Sequence, residues 1–330
     1  MNRIAAAAVL YGVCAVTAAP CCHASSGAEG SVDLAFVGDI MLAETPGELI
    51  ARGVDPFEPF TAILDRHDLR IGNLECVIAT TGTAEIKPFT FRAHPRSLPV
   101  LAKHFDGVSL ANNHSGDFGK AAFAEQLGLL QAAKLAYFGG GEHASAAHRP
   151  WIVERKGLRI AFLGYDEFKP RSFEANATRP GVAWSGEDEQ VLRDIAAARD
   201  HADIVIPFMH WGWEEEVTPS PRQREFARRM IDAGASLVVG SHPHVTQGYE
   251  VYRGRLIVYS LGNFLFNSFE TEATLTGWLL SVRLDKDRTQ DFAIHIAHLD
   301  GNGVPHPGAD PLPCMAGSIA TRNGRCRLDD

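Results

Sequence analysis

Apolar residues recur along this chain in two rhythms. Five short runs, Leu-rich or β-branched and closed by turn residues, read as buried strands: DLAFVGD (33–39), LRIGNLE (69–75), GVSLANNH (107–114), DIVIPFMH (203–210) and SLVVGSHPH (236–244). Between them lie stretches of helical period, FGKAAFAEQLGLLQAAKL (118–135), GEDEQVLRDIAAARDH (186–201) and PRQREFARRMIDAGA (221–235), the last closed by Gly234. Strands alternating with helices predict an α/β layered domain with a largely parallel sheet. In such sheets ligands gather at the carboxyl ends of the strands.

Those ends carry chemistry. The five runs close on Asp39, Glu75, Asn113, His210 and the pair His242 and His244, all able to ligate a metal. One H-x-H reads as well as a solvated loop as it does a metal site. In an extended segment, however, alternate side chains share a face, so His242 and His244 are expected to converge. Five strands delivering imidazole, carboxylate and amide groups to one sheet edge point to a metal or catalytic centre. This donor set suits Mn, Fe or Zn better than Ca, with one or two ions.

Composition sets the frame. With 330 residues, 45% hydrophobic and 22% charged, the chain is an ordinary globular one. Its formal net charge of −9 argues against a nucleic-acid partner. One Arg, an apolar run from Ile4 to about Ala19 and then small residues have the layout of a secretory signal peptide, with cleavage expected after Ala24. A short linker (25–31) would lead into the main domain (32–300), followed by an irregular tail (301–330). Lipid anchoring at Cys21 or Cys22 is the second option, since the residues before Cys21 lack a Leu-led box. Export to the periplasm or cell surface implies oxidising conditions, under which Cys314 and Cys326 are expected to close a short loop and Cys76 is left over.

Six motifs in order, FVGDIML, GNLE, LANNHSGDFG, HWG, GSHPHV and YSLGNF, resemble the bacterial capsule-synthesis proteins of the CapA type, the accessory family of poly-γ-glutamate synthesis. That family is similar to the calcineurin-like metallophosphoesterases, and the resemblance runs from about residue 33 to 284. It implies a four-layer α/β-β/α sandwich, two mixed sheets face to face with helices outside. It further implies that Glu75 bridges two metals, that Asn113, His210 and His242 complete one site, that Asp39 and His244 belong to the other, and that His114 is the general acid. Two departures stand out: Met41 occupies a position where the phosphoesterase pattern has His, and the bridging residue is Glu rather than Asp.

Basic residues in AEIKPFTFRAHPRSL (84–98) are candidates for holding an anionic substrate; Lys87 and Arg92 match basic family positions, whereas Arg96 reads equally as solvated and His94 is undecided. Trp211, beside His210, fits a stacking platform or a core filler equally well. Asn263, which ends another apolar run, is expected near the site as a substrate or supporting hydrogen bonder. No G-x-S-x-G elbow occurs, which argues against a serine hydrolase. The sequence thus predicts an exported metal-dependent hydrolase acting on an anionic polymer or phosphoester, the alternative being a non-catalytic binding protein of a membrane-associated polymer synthesis or export assembly.

Overall fold

The computed structural model describes residues 1, 30–168, 171–315, 317–321 and 324–328; the expected signal peptide after Met1 and linker residues 25–29 lie outside them. Two mixed sheets carry the fold. The larger runs, edge to edge, Ser318–Ala320, Cys326–Leu328, Thr289–Leu299, Thr276–Asp285, Ser31–Ile40, Leu69–Leu74, Gly107–Ser109 and Ala136–Phe138, with Asn263–Leu265 added beside Ser31–Ile40 and Pro305–Pro307 beside Thr289–Leu299. The smaller runs Tyr249–Tyr252, Arg255–Val258, Leu237–Ser241, Ile204–His210, Leu158–Asp166 and Trp151–Arg155. Its four central strands are parallel and its two edges antiparallel.

Strand alternation builds the layers. Val32, Leu34 and Phe36 point one way, into a core shared with Ile160, Phe162, Ile206, Phe208 and Val239 of the smaller sheet. Phe36 meets Phe162 and Phe208 there as tilted ring pairs, at centroid separations of 6.2 and 6.4 Å. Ala35 and Val37 point the other way, against Leu101, Phe123, Leu127 and Leu130 of two helices, Leu98–His104 and Gly119–Ala132. On the far side of the smaller sheet, Leu163, Val205 and Val238 pack against Val191, Ile195, Phe226 and Met230 of helices Asp188–Arg199 and Pro221–Asp232. Helix, sheet, sheet, helix is the four-layer sandwich.

Local chemistry fixes where the helices begin. Ser220 accepts from the Gln223 backbone N–H while the Gln223 side chain accepts from the Ser220 N–H, and Pro221 fills the first helical position. The expected strand 107–114 is shorter than its apolar run: it ends at Ser109, and Leu110–His114 turns away to present the Asn-Asn-His group. The tail also differs from the irregular segment expected, because Pro305–Pro307, Ser318–Ala320 and Cys326–Leu328 extend the larger sheet. Cys314 is joined to Cys326, with Cα atoms 5.5 Å apart. Cys76 is free and buried, and burial pushes its thiol up to about 12, which leaves it unreactive.

Candidate metal centre

Parallel strands deliver the site. Asp39 ends Ser31–Ile40, Glu75 follows Leu69–Leu74, Asn113 and His114 follow Gly107–Ser109, His210 ends Ile204–His210, and His242 and His244 follow Leu237–Ser241. Glu75, His242 and His244 offer ligand atoms within 4.8 Å of one another, as do Asp39, Glu75 and His210. Glu75 is common to both groups. These groups divide the donors differently from the implied assignment, His242 standing with His244 and His210 with Asp39, although His210 Nε2 also lies 2.8 Å from Asn113 Oδ1 and His244 Nδ1 lies 3.5 Å from Asp39 Oδ2.

The two histidines converge, but not by strand alternation. Leu237–Ser241 ends before either ring, and His242 and His244 both take positive φ, 97° and 57°. A tight turn around Pro243 swings the rings inward, to a centroid separation of 6.1 Å. Such backbone is costly for a residue with a Cβ and persists where its surroundings enforce it. Asn263 is one enforcer, accepting at Oδ1 from His244 Nδ1 (2.8 Å) and donating to the His244 carbonyl.

Buried and unpaired groups define the electrostatics. Among the described residues neither Glu75 oxygen and neither His242 ring nitrogen has a hydrogen-bond partner, although all four atoms are shut off from water. Desolvation pushes Glu75 well above the usual carboxylate range, and the neighbouring Asp39 carboxyl pushes it further; burial raises Asp39 too, against the opposing pull of His244. Burial drives His210 and His242 well below the usual imidazole range and lowers His244, so all three rings are neutral with lone pairs to give. Two adjacent buried carboxyls and three neutral imidazoles without counter-charge are what a divalent cation would compensate. The residues fit a metal.

Supporting groups orient the ligands. Asn73 donates to Asp39 Oδ1 at 2.8 Å, and Asn112 donates to Asn73 Oδ1 and to the Leu74 carbonyl. Ser241 Oγ and the Asn73 amide hold His210 Nδ1 at 3.1 and 3.2 Å and fix the ring with Nε2 toward the cluster. His114 Nδ1 is 2.7 Å from Asp117 Oδ2, and Asp117 also pairs with Lys87. Sequence reasoning did not assign Asn73, Asn112, Asp117 or Ser241. Asn73 was within reach of it, standing two residues before Glu75 at the end of the strand that leads to it.

The substrate candidates separate. Lys87 is brought to the site, donating to the Asn113 carbonyl at 3.0 Å. Arg92 is engaged elsewhere, donating to the carbonyls of Thr81 and Gly82 with its guanidinium 4.4 Å from the Phe118 ring centroid. Trp211 is no stacking platform: it is fully buried beneath the smaller sheet and donates from Nε1 to the Tyr259 carbonyl at 2.9 Å. Asn263 is sealed in, its amide shared between His244 and the Thr274 carbonyl, so it positions a ligand and does not meet a substrate. Met41 lies in the apolar core with the helices, its sulfur accepting from the Ala43 N–H.

The chain is thus a four-layer α/β sandwich with carboxylate, imidazole and amide donors gathered at its strand ends. Residues 33–268 match the family described as bacterial capsule synthesis protein PGA_cap, and the chain belongs to that family. It is 34% identical over 283 residues to the PGA biosynthesis protein CapA of Bacillus subtilis, covering 84% of this chain and 70% of that one. It is 31% identical over 296 residues to the capsule biosynthesis protein CapA of Bacillus anthracis, covering 86% and 68%. Among solved structures, a hypothetical protein from Thermus thermophilus is similar with a TM-score of 0.50 at 17% identity, over 81% of this chain and 99% of that one.

Proposed function

We propose that this protein is an exported metal-dependent hydrolase of capsule or poly-γ-glutamate biosynthesis, acting on an anionic polymer or phosphoester. The observation that carries the reading is His114: its Nδ1 is held by Asp117, it stands close enough to His210, His242 and His244 to act electrostatically on each, and its Nε2 bonds to no described residue. An ion of the Mn, Fe or Zn kind held by Asp39, Glu75, Asn113, His210, His242 and His244 would supply Lewis acidity and a more acidic water. His114 would hand a proton from Nε2 to the leaving oxygen or nitrogen, steadied by the Asp117 carboxylate. Lys87, beside Asn113, would offset substrate negative charge.

A second reading, a binding protein in a membrane-associated polymer assembly, is favoured by one observation. Met41 stands where the phosphoesterase pattern has a ligand, and its side chain is committed to the core. Paired substitutions separate the two. His114→Ala should leave bound metal intact while lowering turnover of a poor-leaving-group phosphoester or γ-glutamyl oligomer by about 10²–10⁴-fold. His242→Ala should lose metal and activity together. Absence of turnover on either substrate by wild-type protein reconstituted with Mn, Fe or Zn would refute catalysis. N-terminal sequencing of secreted material tests the export half of the reading, with Ser25 expected first.

A further inference from the structure

A cleft of about 400 Å³ opens beside the metal centre, with Lys87 and Asn113 on one wall and Asp166, Phe168, Phe173 and Trp184 on others. It adjoins the donor cluster directly: Asn113 Oδ1 contacts His210, and the Phe168 ring meets His242 edge-on at 5.0 Å. Ile86 stands fully exposed at the lip.

Two donors in this cleft have no anionic partner. Lys120 Nζ lies 3.6 Å from the Phe173 ring centroid and 3.3 Å from its carbonyl, with no carboxylate in ion-pair reach among the described residues. It occupies the first turn of Gly119–Ala132, where a cation opposes the helix dipole, so helix stability does not explain its presence. Desolvation and the neighbouring Arg179 depress its ammonium to about 8. The second donor is Trp184 Nε1, closed to water and without an acceptor among the described residues. The acidic groups of the lining do not meet this need. Glu174 acts on Lys120 from outside ion-pair reach and is itself taken by Arg171, Glu85 is exposed, and Asp166 is raised to about 7 by burial. An anionic group on a short apolar stem matches the arrangement, the stem against the phenyl rings and the oxygens toward Lys120 and Trp184.

We infer that this cleft is a specificity subsite that seats a carboxylate-bearing unit of the polymer, a glutamyl residue flanking the bond held at the metal centre. The inference rests on the reading of the centre as a polymer-acting site and adds the residues that select the polymer. The test is equilibrium binding of a fluorescent γ-glutamyl decamer to Mn-reconstituted protein, with inorganic phosphate titrated in parallel. Lys120→Gln should weaken decamer binding about tenfold, Lys120→Arg should retain it, and Trp184→Phe should weaken it about threefold to tenfold. Bound metal and melting temperature should not fall in Lys120→Gln, which separates a ligand role from a structural one. Equal decamer affinity in Lys120→Gln and wild type overturns the subsite and leaves the proposed hydrolase standing. Phosphate binding that depends on Lys120, without decamer binding, overturns the carboxylate as occupant. No binding of either probe overturns the subsite, and phosphoester turnover then judges the hydrolase separately.

Discussion

The centre is built from residues that do little alone. His244 reaches the cluster through a left-handed backbone that Asn263 clamps from both sides, at Nδ1 and at the carbonyl. Removing the clamp should free the ring without removing a ligand, so Asn263→Ala is expected to lower metal affinity by about 10–100-fold. Competition with a calibrated chelator measures this, and an unchanged affinity would show that the turn holds itself. Such clamps were poorly legible in the sequence. The candidate donors could be picked out, because each closes an apolar run near the end of a parallel strand. Asn263 and Trp211 were left between two roles and Arg92 was expected at the site, because each side chain's direction depends on partners outside its own run: the Thr274 carbonyl, the Thr81 carbonyl and the Tyr259 carbonyl. The convergence of His242 and His244 was anticipated for the wrong reason, since alternation in a strand and a positive-φ turn both aim the rings together.

At the level of elements, the site depends on how closely strands approach. Asn263–Leu265 runs beside Ser31–Ile40, with Asp39 opposite Asn263 and its N–H donating to the Gly262 carbonyl at 3.0 Å. A Cβ at Gly38 would stand 1.8 Å from that carbonyl oxygen, so only glycine allows the contact that brings Asn263 and Asp39 together. Gly38→Ala should cost about 1–3 kcal/mol and weaken metal binding, through overpacking that forces the strands apart. Gly128 is the counterpart. It sits exposed inside Gly119–Ala132 with nothing within 4 Å of an added Cβ, so Gly128→Ala should gain roughly 0.5–1 kcal/mol. Urea midpoints for the pair, moving in opposite directions, check both. The helices Asp188–Arg199 and Pro221–Asp232 were legible within a few residues because their apolar faces repeat at helical spacing. The long antiparallel strands Thr276–Asp285 and Thr289–Leu299 were not assigned: no ligand closes them, and their pattern acquires meaning only once the larger sheet exists.

Across the whole molecule the two ends of the larger sheet differ in charge. Asp39 marks the metal end, whereas Asp33, at the other end of the same strand, lines a cavity with Arg66, His67, Arg283, His295 and Arg325. The tail closed by Cys314–Cys326 supplies Arg325, which pairs with Asp291 and donates to Ser281. Burial lowers His295 to about 4, and His67, Arg325 and Arg66 around it push the same way. Asp33 and Asp291 are already paired with Arg283 and Arg325. The ring is therefore neutral in the folded protein at pH values where the unfolded chain, near the ordinary 6.5, takes up a proton. Above that value both states are neutral and His295 contributes no pH dependence. As pH falls from 6.5 to about 4 the unfolded state binds progressively more protons than the folded one, so stability declines, and below about 4 the decline from this group stops. His295→Gln should leave the melting temperature near neutral pH little changed while flattening its fall between pH 6.5 and 4. His67, lowered by the same burial, accounts for part of the slope that remains. Parallel acid denaturation curves for His295→Gln and wild type would mean that His295 does not titrate as its burial and cationic surroundings require.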